Sequence, residues 1–301
     1  MMKWKVCLEE FENFLKFERN LSENTVSNYI YDLKKLNNFL EQNKIAVEPS
    51  NINVDIIREF LYHESKKIKS RTQGRLISSL NTFFGFLVIE NKIISNPIKK
   101  VSYPKNKYII PEILSLDEID KIIFQASLNS TNGERNKAIF ELMYSCGLRV
   151  SELINLKISN LFFKESLIKV LGKGNKYRFV PISKIAMKLV LFYIENIRCN
   201  VKIKKGYNDS LFLNNRGRKL SRVMVFLILK KITNELGIKK NISPHTFRHS
   251  FATHMIQNGA DIISIQKMMG HENITTTEKY LNVDKKHLFE TLIKFHPRKS
   301  N

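Results

Sequence analysis

Apolar residues recur at helical spacing through residues 1–98 and predict four helices. Trp4, Leu8, Phe11, Phe14 and Leu15 mark the first. Val26, Tyr29, Leu33, Leu36 and Leu40 mark the second, which starts in "SENT" with Ser22 as its cap. "NVDIIREFLYHES" gives the third helix and "SRTQGRLISSLNTFFGFLVIEN" the fourth. The periodicity then lapses over "NPIKKVSYPKNKYIIPEILSLDEID", where three prolines and four lysines precede the next periodic residue, Leu116. This lapse predicts a helical domain over 1–98, a basic linker over 99–111 and a second domain over 112–301.

The second domain mixes two periods. "SLDEIDKIIFQAS" and "RNKAIFELMYSC" read as helices, Gly147 as a turn, and "RVSELINLK" as a helix capped by Ser151. "SLIKVLGKGNKYRFVPI" alternates as two short strands around Gly172, Gly174 and Asn175. In "PHTFRHSFATHMIQNG", Ser243 caps a helix, Pro244 takes its first position and Gly259 ends it. The helical turn puts His245, Arg248, His249 and Ala252 on one face and Phe247, Phe251, His254 and Met255 on the other, so His254 reads as a core histidine. A short helix with an Ile262, Ile265, Met269 stripe follows; Gly270 stops it and leaves His271 at its end. "TTTE" (Thr275 to Glu278) reads as the capping box of a helix that carries Tyr280. A last apolar stripe runs through Leu288, Phe289, Leu292 and Ile293. The predicted fold class is mainly α with a small β-sheet.

Composition narrows the function. A chain of 301 residues with 43% hydrophobic content can bury two cores. Its longest apolar runs, "FFGFLVI" and "MVFLIL", are too short to span a bilayer, and "MMKWKVCLEE" lacks a secretory apolar region, so a cytoplasmic, nucleoid-associated protein without a membrane partner is expected. Cys7, Cys146 and Cys199 are scattered and odd in number, which fits neither a disulfide framework nor a thiolate metal site. The net charge is +22, and it is unevenly placed: residues 1–98 carry 14 Lys+Arg against 12 Asp+Glu, whereas 99–301 carry 36 against 16. A general lysine bias would raise both parts; the asymmetry points to a nucleic-acid surface centred on the second. Within the first part, Lys66, Lys67, Lys69, Arg71 and Arg75 crowd the junction of the last two helices, where helix-start amides could join them on a phosphate. In the linker, Lys99, Lys100, Lys105 and Lys107 suit a strap along a phosphate backbone.

His245 and His249 have the i, i+4 spacing of a helical zinc pair. The intervening glutamate of such sites is missing from "HTFRH", and Arg248 would repel a cation, so no metal and no cofactor is expected. Metal-free phosphoryl transfer needs cationic donors for the non-bridging oxygens, a proton source for the leaving oxygen and a nucleophile. Arg149, Lys173, His245, Arg248, His271 and Tyr280 supply that set, each beside a glycine turn or a helix end.

"CGLRVSELINL", "GKGNKYRFVPI", "HTFRHSFATHMIQNGADIISIQKMMGH", "TTTEKY" and "FHPR", in this order, resemble the tyrosine site-specific recombinases, closest to the bacterial XerC/XerD-like chromosome-resolving enzymes. The resemblance covers nearly the whole chain. It implies an N-terminal four-helix core-binding (SAM-like) domain and a C-terminal catalytic domain that together form a clamp around double-stranded DNA. It maps the catalytic set onto Arg149, Lys173, His245, Arg248, His271 and Tyr280, with Glu152 in support. It further implies a 3′-phosphotyrosine intermediate, a subunit-exchange helix at about 285–296, and a homo- or hetero-tetramer with a second recombinase on two DNA sites, and it leaves activation by a DNA translocase open. Resolution of chromosome or plasmid dimers at a dif-like site is the expected role. An integrase or transposase of a mobile element, a type IB topoisomerase and a catalytically silent DNA-binding protein are the alternatives that share these residues.

Overall fold

A computed structural model describes residues 4–104, 112–128, 132–172, 176–270 and 284–298. Two compact units divide the chain, Met1–Ile109 and Ile110–Asn301. The first holds α1 (Trp4–Asn13), extended by a π-turn over Phe14–Glu18, then α2 (Glu23–Gln42), α3 (Val54–Ser65) and α4 (Ser70–Ile89). Ser22 caps α2 by accepting from the Thr25 amide, and Asn53 caps α3 in the same way through Asp55 and Ile56. The apolar faces meet in an aromatic core where Phe11 packs edge-on to Phe83 at 5.2 Å and Phe39 lies 5.4 Å from Phe60. Pro97–Lys100 form a 3-10 turn capped by Asn96, and Ile98 is buried in the first unit's core; Lys99 and Lys100 stay exposed.

The second unit begins with α5 (Leu116–Ser127), started by a Ser115/Glu118 capping box, and α6 (Gly133–Cys146). Phe140, Leu142, Met143 and Tyr144 of α6 are all fully buried, so this helix is enclosed on every side and forms the middle of the core. Gly147 ends it at φ +58°; a Cβ there would lie 2.5 Å from the Phe251 ring. After α7 (Val150–Ile154) come β1 (Leu161–Phe162), β2 (Leu167–Leu171) and β3 (Tyr177–Pro181), an antiparallel sheet in that order. The two-residue β1 is too short to alternate and left no trace in the sequence pattern. Then follow α8 (Lys184–Phe192), α9 (Arg222–Glu235), α10 (Pro244–Gln257), α11 (Ile262–Met269) and α12 (Asp284–Phe295).

Three local expectations change. Arg149, not Ser151, takes the cap position of α7: it is extended at φ −71°, ψ 147°, and the Glu152 carboxylate accepts from its amide at 2.8 Å. The buried positions of α11 are Ile265, Met268 and Met269, while Ile262 is exposed, because the short helix turns its Met268 side to the core. The buried stripe of α12 narrows to Leu288 and Leu292, which join the second core, while Ile293 is 40% exposed; the helix packs on β3 and α11. In a single chain, that groove is the cover at hand for an apolar stripe. Beyond α12, His296 is buried against Tyr144 and Phe251, and Arg298 reaches Asp120 and the buried Glu141. Among the described residues, no helix is long and apolar enough to cross a membrane.

Candidate active site

Three elements of the second unit converge on one carboxylate. Glu152, in the first turn of α7 and only 4% exposed, accepts from the Arg149 amide and from Arg149 Nη1, both at 2.8 Å. Arg178 of β3 grips both of its oxygens, with Nη1 at 2.7 Å and Nη2 at 2.9 Å. Arg248 of α10 stands 3.9 Å from it. Burial pushes the Glu152 carboxyl up, but hydrogen bonds and charge from Arg178, then from Arg149, outweigh this and hold it below the usual carboxylate range.

The same three arginines hold the end of α11. Arg149 donates to the carbonyls of Met269 (3.2 Å) and Gly270 (3.0 Å), and Arg178 Nε donates to Met268 (2.9 Å). Arg248 donates to Met269 and, at 2.6 Å, to Gly147. These carbonyls form the negative end of the helix and receive the cationic donors favourably. Gly270 adopts φ +64°, and a Cβ on it would fall 3.0 to 3.1 Å from the Arg178 side chain.

α10 delivers its groups as follows. The capping box of Ser243 and Thr246, with Pro244 at the first position, fixes the start. Phe247, Phe251 and Met255 anchor it in the core, and His254 is satisfied there by Tyr144 Oη at 2.9 Å. His245 and His249 are exposed as their shared face predicts, but Arg248, expected beside them, is 5% exposed: its head turns inward to the carbonyls just described. Burial, then repulsion from Arg149, pulls the Arg248 guanidinium down to about 9. His245 is also lowered, by its partial burial and by the positive charges of Arg248, His249 and Arg149, which keeps the imidazole neutral and able to accept a proton at neutral pH.

Arg149, Glu152, His245 and Arg248 are therefore brought into one electrostatic group. Lys173, His271 and Tyr280 lie outside the described residues, as do the "TTTE" capping box and the linker lysines Lys105 and Lys107. In the first unit, Lys66, Lys67, Lys69 and Arg71 are exposed around the start of α4. Arg75 is engaged inside the protein: with Ser79 it binds the buried Asp32, at 3.0 Å through Nη2 and 2.7 Å through the serine hydroxyl. Arg178 is the site residue that the motifs did not single out. Its signal is strand phase: Arg178 pairs with Val170 and sits two residues before Val180, both buried, so alternation turns it inward.

Comparison with known proteins places this geometry. Residues 112–287 match the phage integrase family, and residues 8–91 match the phage integrase N-terminal SAM-like domain. The tyrosine recombinase XerD of Listeria innocua is 37% identical over 292 residues, covering 97% of this chain and 98% of that protein. The XerD of Oceanobacillus iheyensis is 40% identical over 293 residues, with the same coverage. Among solved structures, XerH recombinase in a post-cleavage complex with palindromic difH substrate aligns with TM-score 0.72 at 24% identity, covering 94% of this chain and 83% of that one. A lambda integrase tetramer bound to a Holliday junction aligns at 0.69 and 18% identity, covering 93% and 80%. These two share the fold. With the family match over the catalytic unit and near-full-length relatives at this identity, the chain belongs to the phage integrase family and is a tyrosine recombinase, an enzyme of site-specific recombination that cuts and rejoins DNA strands.

Proposed function

We propose that this recombinase works through a 3′-phosphotyrosine formed by Tyr280, with Arg149, His245, Arg248, Lys173 and His271 serving the transferred phosphate. The observation that carries this reading is the charge imbalance of the site. Arg149, Arg178 and Arg248 surround a single carboxylate, Glu152, and the cost of burying the excess is visible in the lowered Arg248. An excess of positive charge around a lone carboxylate fits an incoming phosphate.

In the proposed step the Tyr280 oxygen forms a bond to phosphorus as the bond to the 5′-oxygen breaks. The phenol proton passes to His245, whose lowered affinity for a proton leaves it neutral at pH 7. Lys173 protonates the departing 5′-oxygen. The freed 5′-hydroxyl of a partner strand then attacks the phosphotyrosine, so one ester replaces another without ATP. The exposed basic residues Lys66, Lys67, Lys69, Arg71, Lys99 and Lys100 hold the duplex by its phosphates, together with Lys105 and Lys107. Relatives named XerD favour resolution of chromosome or plasmid dimers at a dif-like site, by four subunits on two duplexes, alone or with a second recombinase.

The test is a nicked suicide duplex in EDTA. The protein is expected to become covalently attached to the 3′ side of the break, and Tyr280→Phe to abolish attachment while DNA binding persists. Arg248→Ala is expected to raise the cleavage barrier by about 2.7–4 kcal/mol, the range for one preorganised oxyanion donor. No adduct from the wild-type chain would favour a silent binder; an adduct with Tyr280→Phe would overturn the assignment of the nucleophile.

A further inference from the structure

Arg178, which the motifs do not name, engages the candidate site with all three of its guanidinium nitrogens. Its guanidinium binds both oxygens of Glu152, the carboxylate that orients Arg149. Its Nε holds the Met268 carbonyl at the end of α11. It also lies between two glycines: a Cβ on Gly172 would come 3.3 Å from Nη1, and a Cβ on Gly270 would come 3.0 Å from the same atom. Gly172 immediately precedes Lys173 in the chain, and Gly270 immediately precedes His271. The side chain is 15% exposed and directs its nitrogens into the protein. It is thus committed to protein partners, in contrast to a residue presented to solvent for DNA.

We propose that Arg178 is a positioning residue for strand cleavage: it fixes Arg149 through Glu152 and anchors the backbone that leads into Lys173 and His271. The inference rests on the phosphotyrosine reading of the site. The planar fork of an arginine can bind a carboxylate with two nitrogens and a carbonyl with the third. Lysine carries the same charge on one nitrogen and cannot span these partners. The lack of a Cβ at Gly172 and Gly270 leaves the room this side chain occupies.

The experiment measures single-turnover cleavage of the suicide duplex over a range of protein concentrations for the wild type, Arg178→Lys and Glu152→Gln, with thermal melts of each. Arg178→Lys is expected to lower the maximal cleavage rate by about 10- to 100-fold, the usual range for outer-shell partners of a reactive site, with half-saturation by DNA within about twofold of wild type. Combined with Glu152→Gln, the losses should fall well short of multiplying, because the two side chains act as a unit. A role in stability alone would lower the melting temperature and leave the maximal rate below that temperature unchanged. That result, or a loss found entirely in half-saturation, would overturn the proposal. Should Arg178→Lys fail to fold, the neutral pair Glu152→Gln/Arg178→Met carries the same test: folded and slow supports it, folded and fast overturns it. Wild-type adduct formation is the control, since its absence would strike the phosphotyrosine reading and not the role of Arg178.

Discussion

Burial is the largest influence on the proton equilibria of both Arg248 and His296. For His296 burial dominates, and it pulls the imidazole down to about 3. The neutral ring accepts the Arg298 amide at 2.9 Å and packs 5.0 Å from Tyr144. A histidine lowered on folding binds its proton better in the unfolded chain. It therefore contributes stability that is full above its ordinary value of about 6.5 and is lost as pH falls from there toward 3. His296→Asn, which keeps an acceptor near the position of Nδ1, should flatten the decline in melting temperature between pH 6.5 and 5 relative to wild type. An unchanged slope would show that other groups carry the acid sensitivity. At this scale the sequence disclosed the chemistry better than the support: Arg149, Glu152, His245 and Arg248 are legible as motifs. Arg178 was legible only through the phase of its strand, and the inward turn of Arg248 not at all, since helical spacing fixes the direction of Cβ but not the path of a long side chain.

Among the elements, α12 and the turn after it show which surface the last apolar stripe covers within one chain. The apolar stripe was visible, but which surface it covers depends on three-dimensional neighbours that no local pattern encodes. Here Leu292 is 2% exposed in the chain's own core, and beyond it Arg298 lies 3.2 Å from Glu141 and over the Tyr144 ring at 5.7 Å. Burial raises the Glu141 carboxyl, and Arg298 opposes that rise. Stranding Glu141 by Arg298→Met should cost about 3 kcal/mol in urea denaturation, near the lower end for breaking a buried pair. Adding Glu141→Gln should recover most of the loss, because the remaining side chain no longer carries a charge. If the double variant is no more stable than the single one, packing of Arg298 on Tyr144 and not its charge holds the tail. Helix starts were the most legible feature at this scale: Ser22 and Ser243 occupy their predicted cap positions, because a cap is a local hydrogen bond between near neighbours. The exception, Arg149 in place of Ser151, arises because Glu152 supplies the reciprocal bond from three residues on.

For the molecule as a whole, charge and cores divide differently. Each unit has its own buried apolar cluster. The net charge falls as +2 on residues 1–98 and +20 on 99–301. A fragment of residues 99–301 should bind duplex DNA with log affinity falling by about 0.9 per neutralised phosphate per decade of salt. A fragment of residues 1–98 should bind far more weakly at every salt concentration. Equal affinities in filter binding or fluorescence anisotropy would refute a surface centred on the second part. The two-core organisation was readable from the lapse in periodicity after the fourth helix.

The pairing of Arg298 with Glu141 also orders events in time. Roughly 150 residues separate the two, so at about 5–20 residues per second a ribosome adds Arg298 some 10 to 30 seconds after Glu141. Through that interval α6 exists without the groups that finish its surroundings: Leu288, Leu292, His296 and Arg298 are all still to be made. The first unit, complete by then, is free to fold on its own core. Nascent chains of this protein should thus pass through a stage in which an ordered amino-terminal half trails an open, sticky catalytic half.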